Sequence, residues 1–304
     1  MRSEFNSSMN WYIGPNDYDV LKNYENNISD SIYFGWGLFG WINKFLYFPL
    51  FGFLSKYFSA GLAVILMTVI TRLIMSPVTY KTYVSQARMK VIKPEITELN
   101  EKYKNDAVKK QQETMKLYSK AGANPLLGCI PALLQLPVFY ALFCFFPIAF
   151  QLRGKPFLWA DDLSSYDVIA ELPFSIPWYG DHVSLLPILA SIAIFFYTMM
   201  SSGAQMQQSQ PGMPNMKFIM YLMPVMMLFF FNNYASAFSL YYFISNILTI
   251  LIMLSIKYFI IDEKKIHLQI QENKKKPTKQ NRFQRKMQEM MDQAEQQKKL
   301  QNRK

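Results

Sequence analysis

The stretch GLAVILMTVITRLIMSPVTYKTY, from Gly61 to Tyr83, decides the fold. A helix needs about 20 apolar residues to cross a hydrocarbon core of about 30 Å, and this stretch is long enough. Arg72 lies near its middle, and no apolar segment of the chain contains an Asp or Glu that could neutralise the guanidinium. A permanently charged group at bilayer depth must face water or polar side chains inside the protein. The stretch therefore predicts a membrane helix with a polar site at Arg72.

Composition extends this interpretation to the whole chain. Apolar residues make up 51% of the sequence and aromatic residues 16%, whereas charged residues make up only 17%. The charge lies between and after long apolar blocks, which predicts an all-α polytopic membrane protein with a five-helix transmembrane core. The predicted spans are Gly61–Tyr83, Pro125–Phe150, Ser184–Met200, Met216–Phe231 and Ser236–Ile261.

The fourth predicted span is short. Its strongly apolar part, FIMYLMPVMMLFFF, covers only about 21 Å as a helix. Either the polar residues at its ends, Asn215, Asn232 and Asn233, are drawn inward, or the bilayer is thinner there.

Lysine and arginine residues set the orientation. The loop after the first span is rich in them between Lys81 and Lys120, whereas residues 151–183 contain only Arg153 and Lys155. By the positive-inside rule the first loop is cytoplasmic and the second is external. We therefore predict an N-terminus outside and a cytoplasmic C-terminus, with a core over residues 59–262.

Residues 32–58 are rich in Trp, Tyr and Phe and precede the first span. They form either a sixth span or an amphipathic helix in the outer interface. We favour the interfacial helix, because the segment is aromatic and is interrupted by Lys44 and Pro49.

Residues 84–122 have the pattern of a cytoplasmic helical hairpin. Apolar residues recur at spacings of three and four on each side of a polar turn at Lys104–Asp106, which is typical of two helices of coiled-coil type. Gly122 is expected to end the second helix. The charged remaining face is either solvated or binds a partner.

The two ends of the chain are polar. Residues 1–31 contain no signal peptide although the topology places them outside, so we interpret them as the remnant of an extracytoplasmic domain and linker whose beginning is missing. Residues 263–304 form a basic cytoplasmic tail, which binds anionic lipid, ribosomal RNA or nothing.

No catalytic chemistry is visible in the sequence. Cys129 and Cys144 are too far apart on one helix for a disulfide, and His182 and His267 are predicted on opposite sides of the membrane. We predict neither an enzyme nor a metal or cofactor site. A polar constellation at bilayer depth remains, which either only joins helices or binds a substrate. Its members are Arg72, Thr68, Thr71, Gln135, Tyr241, Tyr242, Ser245 and Asn246.

Three segments carry a resemblance to a known family. TRLIMSPVTYKTYVSQARMKVIKPEI, NPLLGCIPALLQLPVFYALF and SLYYFISNILTI, in this order, resemble the bacterial YidC membrane protein insertases of the Oxa/Alb superfamily. The resemblance covers about residues 32–262, and residues 11–22 resemble the closing strand of the periplasmic domain of Gram-negative members.

The resemblance implies a function. Family members have five core helices around a hydrophilic groove that is open to the cytoplasm and to lipid, with one positive residue, here Arg72. Substrate-contacting positions match Thr68 and Tyr242. The implied protein inserts and folds nascent membrane proteins in the bacterial inner membrane without nucleotide hydrolysis. Its expected partners include the Sec translocon, anionic lipids and the ribosome through the tail and possibly the hairpin, but no DNA.

Two other functions are compatible with the residues. A transporter or channel would use Arg72 as an anion site, and its pathway would be accessible from both sides. A ribosome-tethering scaffold would need the hairpin and the tail but not Arg72.

Overall fold

The structure is a computed structural model, and helices dominate it. It describes residues 11–24, 27–104, 106–122, 130–201, 216–260 and 263–275. The helices are α1 (Tyr18–Leu21), α2 (Gly37–Ile42), α3 (Phe48–Tyr57), α4 (Ala60–Val91), α5 (Lys93–Lys102), α6 (Ala107–Ala121), α7 (Ile130–Ile148), α8 (Leu185–Ser201), α9 (Met216–Asn232), α10 (Ser236–Ser255) and α11 (Glu263–Lys275). Short 3₁₀ turns lie at Ile28–Ser31 and Phe150–Leu152, and π-helical turns lie at Asn43–Tyr47 and Ile256–Ile260.

A helix lies at each of the five predicted spans, namely α4, α7, α8, α9 and α10. Among the described residues, α4 and the segment Ser236–Phe259 are long and apolar enough to cross a membrane. The described parts of the other three apolar helices are shorter, and 17 residues of α9 are described. The position of these helices in a bilayer stays a prediction.

The prediction of an all-α protein misses one small sheet. Strands β1 (Ala170–Ile176) and β2 (Gly180–Val183) pair antiparallel within residues 151–183. Between the Glu171–His182 and Ile176–Gly180 pairs, β1 has four residues and β2 only one. Such a bulge breaks the alternation by which a strand is recognised in a sequence.

The segment before α4 is a nearly continuous helical run from Gly37 to Tyr57. Pro49 does not end the run: it follows the π-helical turn Asn43–Tyr47, and Tyr47 and Phe48 before it keep helical backbone angles. One face of the run is buried and the opposite, largely aromatic face is exposed. Its placement in the outer membrane interface stays a prediction. The buried residues are Asn43, Tyr47, Phe51 and Leu54, and the exposed ones include Trp41, Phe45, Phe53 and Tyr57.

The main core lies between α4, α7, α8, α9 and α10 and is built from aromatic and small residues. Phe238 on α10 packs edge-to-face against Phe231 at 5.1 Å and Phe146 at 5.9 Å between ring centroids. Buried alanines such as Ala141 and Ala237 allow the helices to approach closely. This packing fixes the positions of α4 and α10, which carry most of the predicted polar site.

A second core lies where the cytoplasmic hairpin was predicted. The end of α4, α5 and α6 enclose a cluster that contains Met89, Ile92, Ile96 and Tyr118. Burial raises the pKa of the Tyr118 hydroxyl. The helix α11 closes this cluster with two residues one turn apart, Ile266 and Ile270.

The docking of α11 was not predicted, since residues 263–304 were treated as one basic tail. The guanidinium of Arg88 on α4 reinforces the contact by donating to the carbonyl of Gly122 at 3.1 Å and to Oε1 of Gln269 at 3.5 Å. The first part of the tail is therefore a component of the hairpin core.

Candidate functional site around Arg72

Arg72 lies on α4 where this helix packs against α10. Its side chain is half-buried, and its Nε–H donates a hydrogen bond to the hydroxyl oxygen of Ser245. The guanidinium forms no ion pair with a carboxylate within the part of the chain that the structure describes. The positively charged guanidinium is therefore bound by a neutral hydroxyl and not by a carboxylate, which agrees with the absence of acids from the apolar segments.

Four tyrosine side chains lie close enough to Arg72 for an electrostatic interaction with its charge. Tyr241 and Tyr242 belong to α10, and both were predicted members of the site. Tyr83 on α4 and Tyr197 on α8 were missed. Tyr83 follows Arg72 by eleven residues, or three helical turns, so helical periodicity could have identified it. Nothing in the apolar sequence of α8 singles out Tyr197.

The hydroxyl of Tyr241 is fully buried between α4, α10 and the helical run before α4. It lies near the hydroxyls of Tyr47, Thr71 and Ser245 without reaching hydrogen-bond geometry with any of them. The Tyr47 hydroxyl is likewise buried and has no described partner. Tyr47 was not predicted to belong to the site, because its place on an aromatic segment gave no reason to separate it from its neighbours.

Gln135 connects α7 to this cluster. Its Nε2 donates to the hydroxyl of Tyr242 at 3.2 Å, and its side chain is half-buried. Residues from α4, α7 and α10 that are far apart in sequence thus meet around Arg72.

Three of the predicted residues bond mainly to their own helices. The hydroxyls of Thr68 and Thr71 donate to the carbonyls of Val64 and Met67 at 2.7 and 2.8 Å. The Asn246 side chain donates to the carbonyl of Tyr242 at 2.7 Å. These bonds satisfy polar groups at a helix contact, as expected of residues that only join helices.

Burial divides the eight predicted residues into two groups. The half-buried ones are Arg72 and Gln135, and the buried ones are Thr68, Thr71, Tyr241, Tyr242, Ser245 and Asn246.

Residues 151–183, here called the cap, join the ends of several core helices on one side of the bundle. Asn232, the last residue of α9, is completely buried and forms the centre of this contact. Its Nδ2 donates to the carbonyls of Tyr179 and His182, both at 2.9 Å, and its Oδ1 accepts from the N–H of Ser184 at 3.1 Å. Nε2 of His182 lies 3.0 Å from the carbonyl of Asn232.

Asp167 of the cap holds the beginning of α8. Its buried Oδ2 accepts from the N–H groups of Leu185 at 2.9 Å and Leu186 at 3.0 Å, and from the indole of Trp159 at 2.9 Å. A carboxylate at a helix N-terminus also interacts favourably with the helix dipole. By contrast, Asp181 is exposed, and its hydrogen bond with His182 lowers the pKa of its carboxyl.

The cap also contacts the beginnings of α10 and α4. The N–H of Ala237 donates to the carbonyl of Leu163 at 3.0 Å, and the Ser236 hydroxyl donates to that of Asp162 at 3.0 Å. The ring of Phe157 lies on Gly61, where an added Cβ would come within 2.1 Å of Cδ2. These contacts cover the helix ends on the side where α4, α8 and α10 begin and α7 and α9 end.

Comparisons with known proteins identify the family of the chain. A family model described as "60Kd inner membrane protein" matches residues 52–265. A protein of Parabacteroides distasonis called "Membrane protein insertase YidC" is 41% identical over 298 residues, which are 93% of this chain and 47% of that protein. A protein of the same name from Bacteroides fragilis is 40% identical over 301 residues, or 95% of this chain and 48% of that protein.

A crystal structure described as "Active YidC insertase crystal structure with the first transmembrane domain resolved" is also similar. It has a TM-score of 0.50 and 27% sequence identity, and the match covers 82% of this chain and 54% of that chain. The chain spans about half the length of the curated relatives that it matches. These matches confirm the resemblance found in the three motifs. The chain therefore belongs to the 60Kd inner membrane protein family, in which its relatives are bacterial YidC membrane protein insertases.

Proposed function

We propose that this chain inserts nascent membrane proteins into the bacterial inner membrane by means of a polar groove around Arg72, without nucleotide hydrolysis. The observation that carries the proposal is a half-buried guanidinium on a membrane helix that is held by a hydroxyl and not by a carboxylate. The names of the relatives, each called a membrane protein insertase, support the same role.

Electrostatic magnitudes favour a substrate-binding role for this charge. An Asp at the centre of a membrane helix costs about 2.5 to 3.5 kcal/mol on insertion scales. Opposite charges 4 Å apart attract by about 4 kcal/mol at an effective dielectric constant of 20. A carboxylate on an incoming segment would therefore recover most of its insertion cost beside Arg72, whereas an internal Asp or Glu partner would remove this attraction.

The cap supports a groove that is closed on one side. Its hydrogen bonds with Asn232 and Ser236 join the ends of the core helices, and Arg72 lies about three turns along α4 from Gly61. With the predicted orientation, the cap is extracytoplasmic, and the groove is open to the cytoplasm and to lipid. A polar segment of the substrate would then stay bound beside Arg72 while the apolar helix of the substrate moves into the bilayer.

The proposed partners are inferred from the predicted topology and from the names of the relatives. The substrates are nascent membrane proteins with short, acidic translocated segments. We retain the ribosome, the Sec translocon and anionic lipids as proposed partners of the hairpin and the tail, and the contact of α11 with the hairpin would place the two next to each other.

Reconstitution into lipid vesicles tests the proposal. The parent chain, Arg72→Ala, Arg72→Lys and the control Arg153→Ala, which removes an exposed charge in the cap, are compared for protease protection of a single-span substrate with an acidic translocated tail. We expect Arg72→Ala to lower insertion at least about tenfold. A loss of about 1.4 kcal/mol already corresponds to a factor of ten, and the attraction between the two charges is about 4 kcal/mol. Arg72→Lys and Arg153→Ala should retain activity.

A second substrate, with the acidic residues of its tail changed to amides, identifies the mechanism. Its insertion should depend little on Arg72 if the guanidinium acts by attracting carboxylates. Equal activity of all variants on the acidic substrate would refute the role of Arg72. Activity of the parent chain as an anion channel, or no insertion by any variant, would favour the transporter or the scaffold.

A further inference from the structure

The helix α9 carries a stripe of exposed apolar side chains along one face. Spacings of four, three and four residues place its members in a row along the helix. They are Phe218, Leu222, Val225 and Phe229, with exposed fractions of 67%, 39%, 50% and 36%. Exposed apolar faces mark contact with lipid or with another protein, and membership of an inner-membrane family favours lipid here.

The turn of the cap hairpin lies at the end of this stripe. The ring of Tyr179 packs edge-to-face on Phe229, with 5.4 Å between the ring centroids. The carbonyl of Tyr179 accepts from the side chains of Asn232 at 2.9 Å and Asn233 at 2.7 Å. The turn is thus fixed against the last turn of α9.

Two large apolar side chains of the same hairpin are exposed. Trp178 is 91% exposed and directly precedes Tyr179, and Phe174 in the bulge of β1 is 61% exposed. Trp178 has a φ of 72°, in the left-handed region that glycine and asparagine adopt far more readily than an aromatic residue. Stability of the isolated hairpin gives no reason for a tryptophan at this position.

The length of the apolar run in α9 supplies such a reason. The run Phe218–Phe231 spans about 21 Å as a helix, which is less than a hydrocarbon core of about 30 Å. The polar side chains of Asn232 and Asn233 would lie inside this core unless other groups surround them. The hairpin accepts both Nδ2 bonds of the buried Asn232 and one from Asn233, and the apolar residues of the turn extend the exposed apolar stripe beyond the end of the helix.

We propose that the hairpin turn around Trp178, together with Phe174, is a lipid anchor that sits in the membrane interface and extends the short helix α9 to the thickness of the bilayer. Tryptophan is enriched at this level because its ring combines an apolar body with an N–H donor. The anchor holds the cap at a fixed depth relative to the core helices. The inference does not depend on the role of Arg72 or on which leaflet the cap faces.

Fluorescence quenching in vesicles tests the proposed depth. The parent chain and Trp178→Phe are reconstituted into phosphatidylcholine that is brominated either near the carbonyl end or near the end of the acyl chain. The difference between the two proteins gives the emission of Trp178 and leaves the other four tryptophans in place. We expect this difference emission to be blue-shifted and mostly lost with the bromine near the carbonyl, with less loss near the chain end and little by aqueous iodide.

Glu171→Trp in the Trp178→Phe protein is the matched control, because Glu171 is an exposed, charged residue of the same hairpin away from the turn. Its added emission should be quenched by iodide and not by brominated lipid. Quenching of Trp178 by iodide alone would refute the anchor. Quenching by neither agent would also refute it, since a second copy of the chain or another protein would then cover the turn. A far-UV circular dichroism spectrum equal to that of the parent shows that each variant is folded.

Discussion

Replacement of Asn232 by alanine tests how much this one side chain contributes to fixing the cap to the core. The side chain is completely buried and makes three hydrogen bonds, two to carbonyls of the hairpin and one from the N–H of Ser184. Each buried bond contributes about 1 kcal/mol net, and a buried group that is left without a partner costs about 1 to 3 kcal/mol. We therefore expect Asn232→Ala to lower the free energy of unfolding by at least about 3 kcal/mol.

Equilibrium unfolding in mixed detergent micelles, followed by circular dichroism, measures this loss. Asn233→Ala is the matched control, because Asn233 is the adjacent residue, is exposed, and donates one bond to the same carbonyl of Tyr179. Water can replace that bond, so the control should lose about 1 kcal/mol or less. Equal losses for the two variants would refute the argument, since the burial and the number of bonds at Asn232 would then have no consequence.

Two further substitutions test other contacts. Gly61→Val would place a side chain where the Phe157 ring now lies, so it should lower the free energy of unfolding by about 1 to 3 kcal/mol, and adding Phe157→Ala should restore part of this loss in a double-mutant cycle. Additive effects of the two substitutions would contradict the contact. Ile270→Asp puts a charge into the hairpin cluster and should speed amide hydrogen exchange in α11 and residues 84–122, whereas Leu268→Asp, on the exposed face of α11, should not. Equal exchange in the two variants would show that α11 is not held by its apolar face.

The helices could be predicted from the sequence because their signals are local. Runs of apolar residues and the positions of Lys and Arg located α4 and α10 within a few residues of their observed starts. Apolar spacing likewise indicated the shared face of Met89, Ile92 and Ile96, and Gly122 has the expected left-handed conformation at the end of α6. The Ile266–Ile270 pair has the same spacing, but it lies in a segment whose many Lys residues are typical of a solvated tail.

The cap could not be predicted, because its structure depends on pairs that are distant in the chain. Asn232 bonds to residues about 50 positions earlier, and Asp167 bonds to the start of α8. The residues next to Asn232 and Asp167 in the sequence show no pattern that predicts these bonds. Polar residues at bilayer depth were visible around Arg72, but only the packing of α4 against α10 determines that Thr68 bonds to its own helix while Ser245 bonds across the contact.

Arg72 has N–H donors without a partner among the described residues, whereas the side chain of Asn232 is fully bonded. This difference would close the proposed groove at the cap. A guanidinium has five N–H donors, and only the Nε–H of Arg72 has a partner among the described residues, so the charge can bind an acceptor on a substrate. Where α9 meets the cap, the side-chain donors and acceptor of Asn232 are already bonded within the protein, and a polar segment could enter only by breaking these bonds. In the proposed mechanism, an incoming carboxylate would therefore gain free energy by reaching Arg72 and would lose it by continuing into the cap. A groove of this kind would hold a polar segment partway across the membrane, and release would require either loosening of the cap or movement of the substrate's apolar helix into lipid.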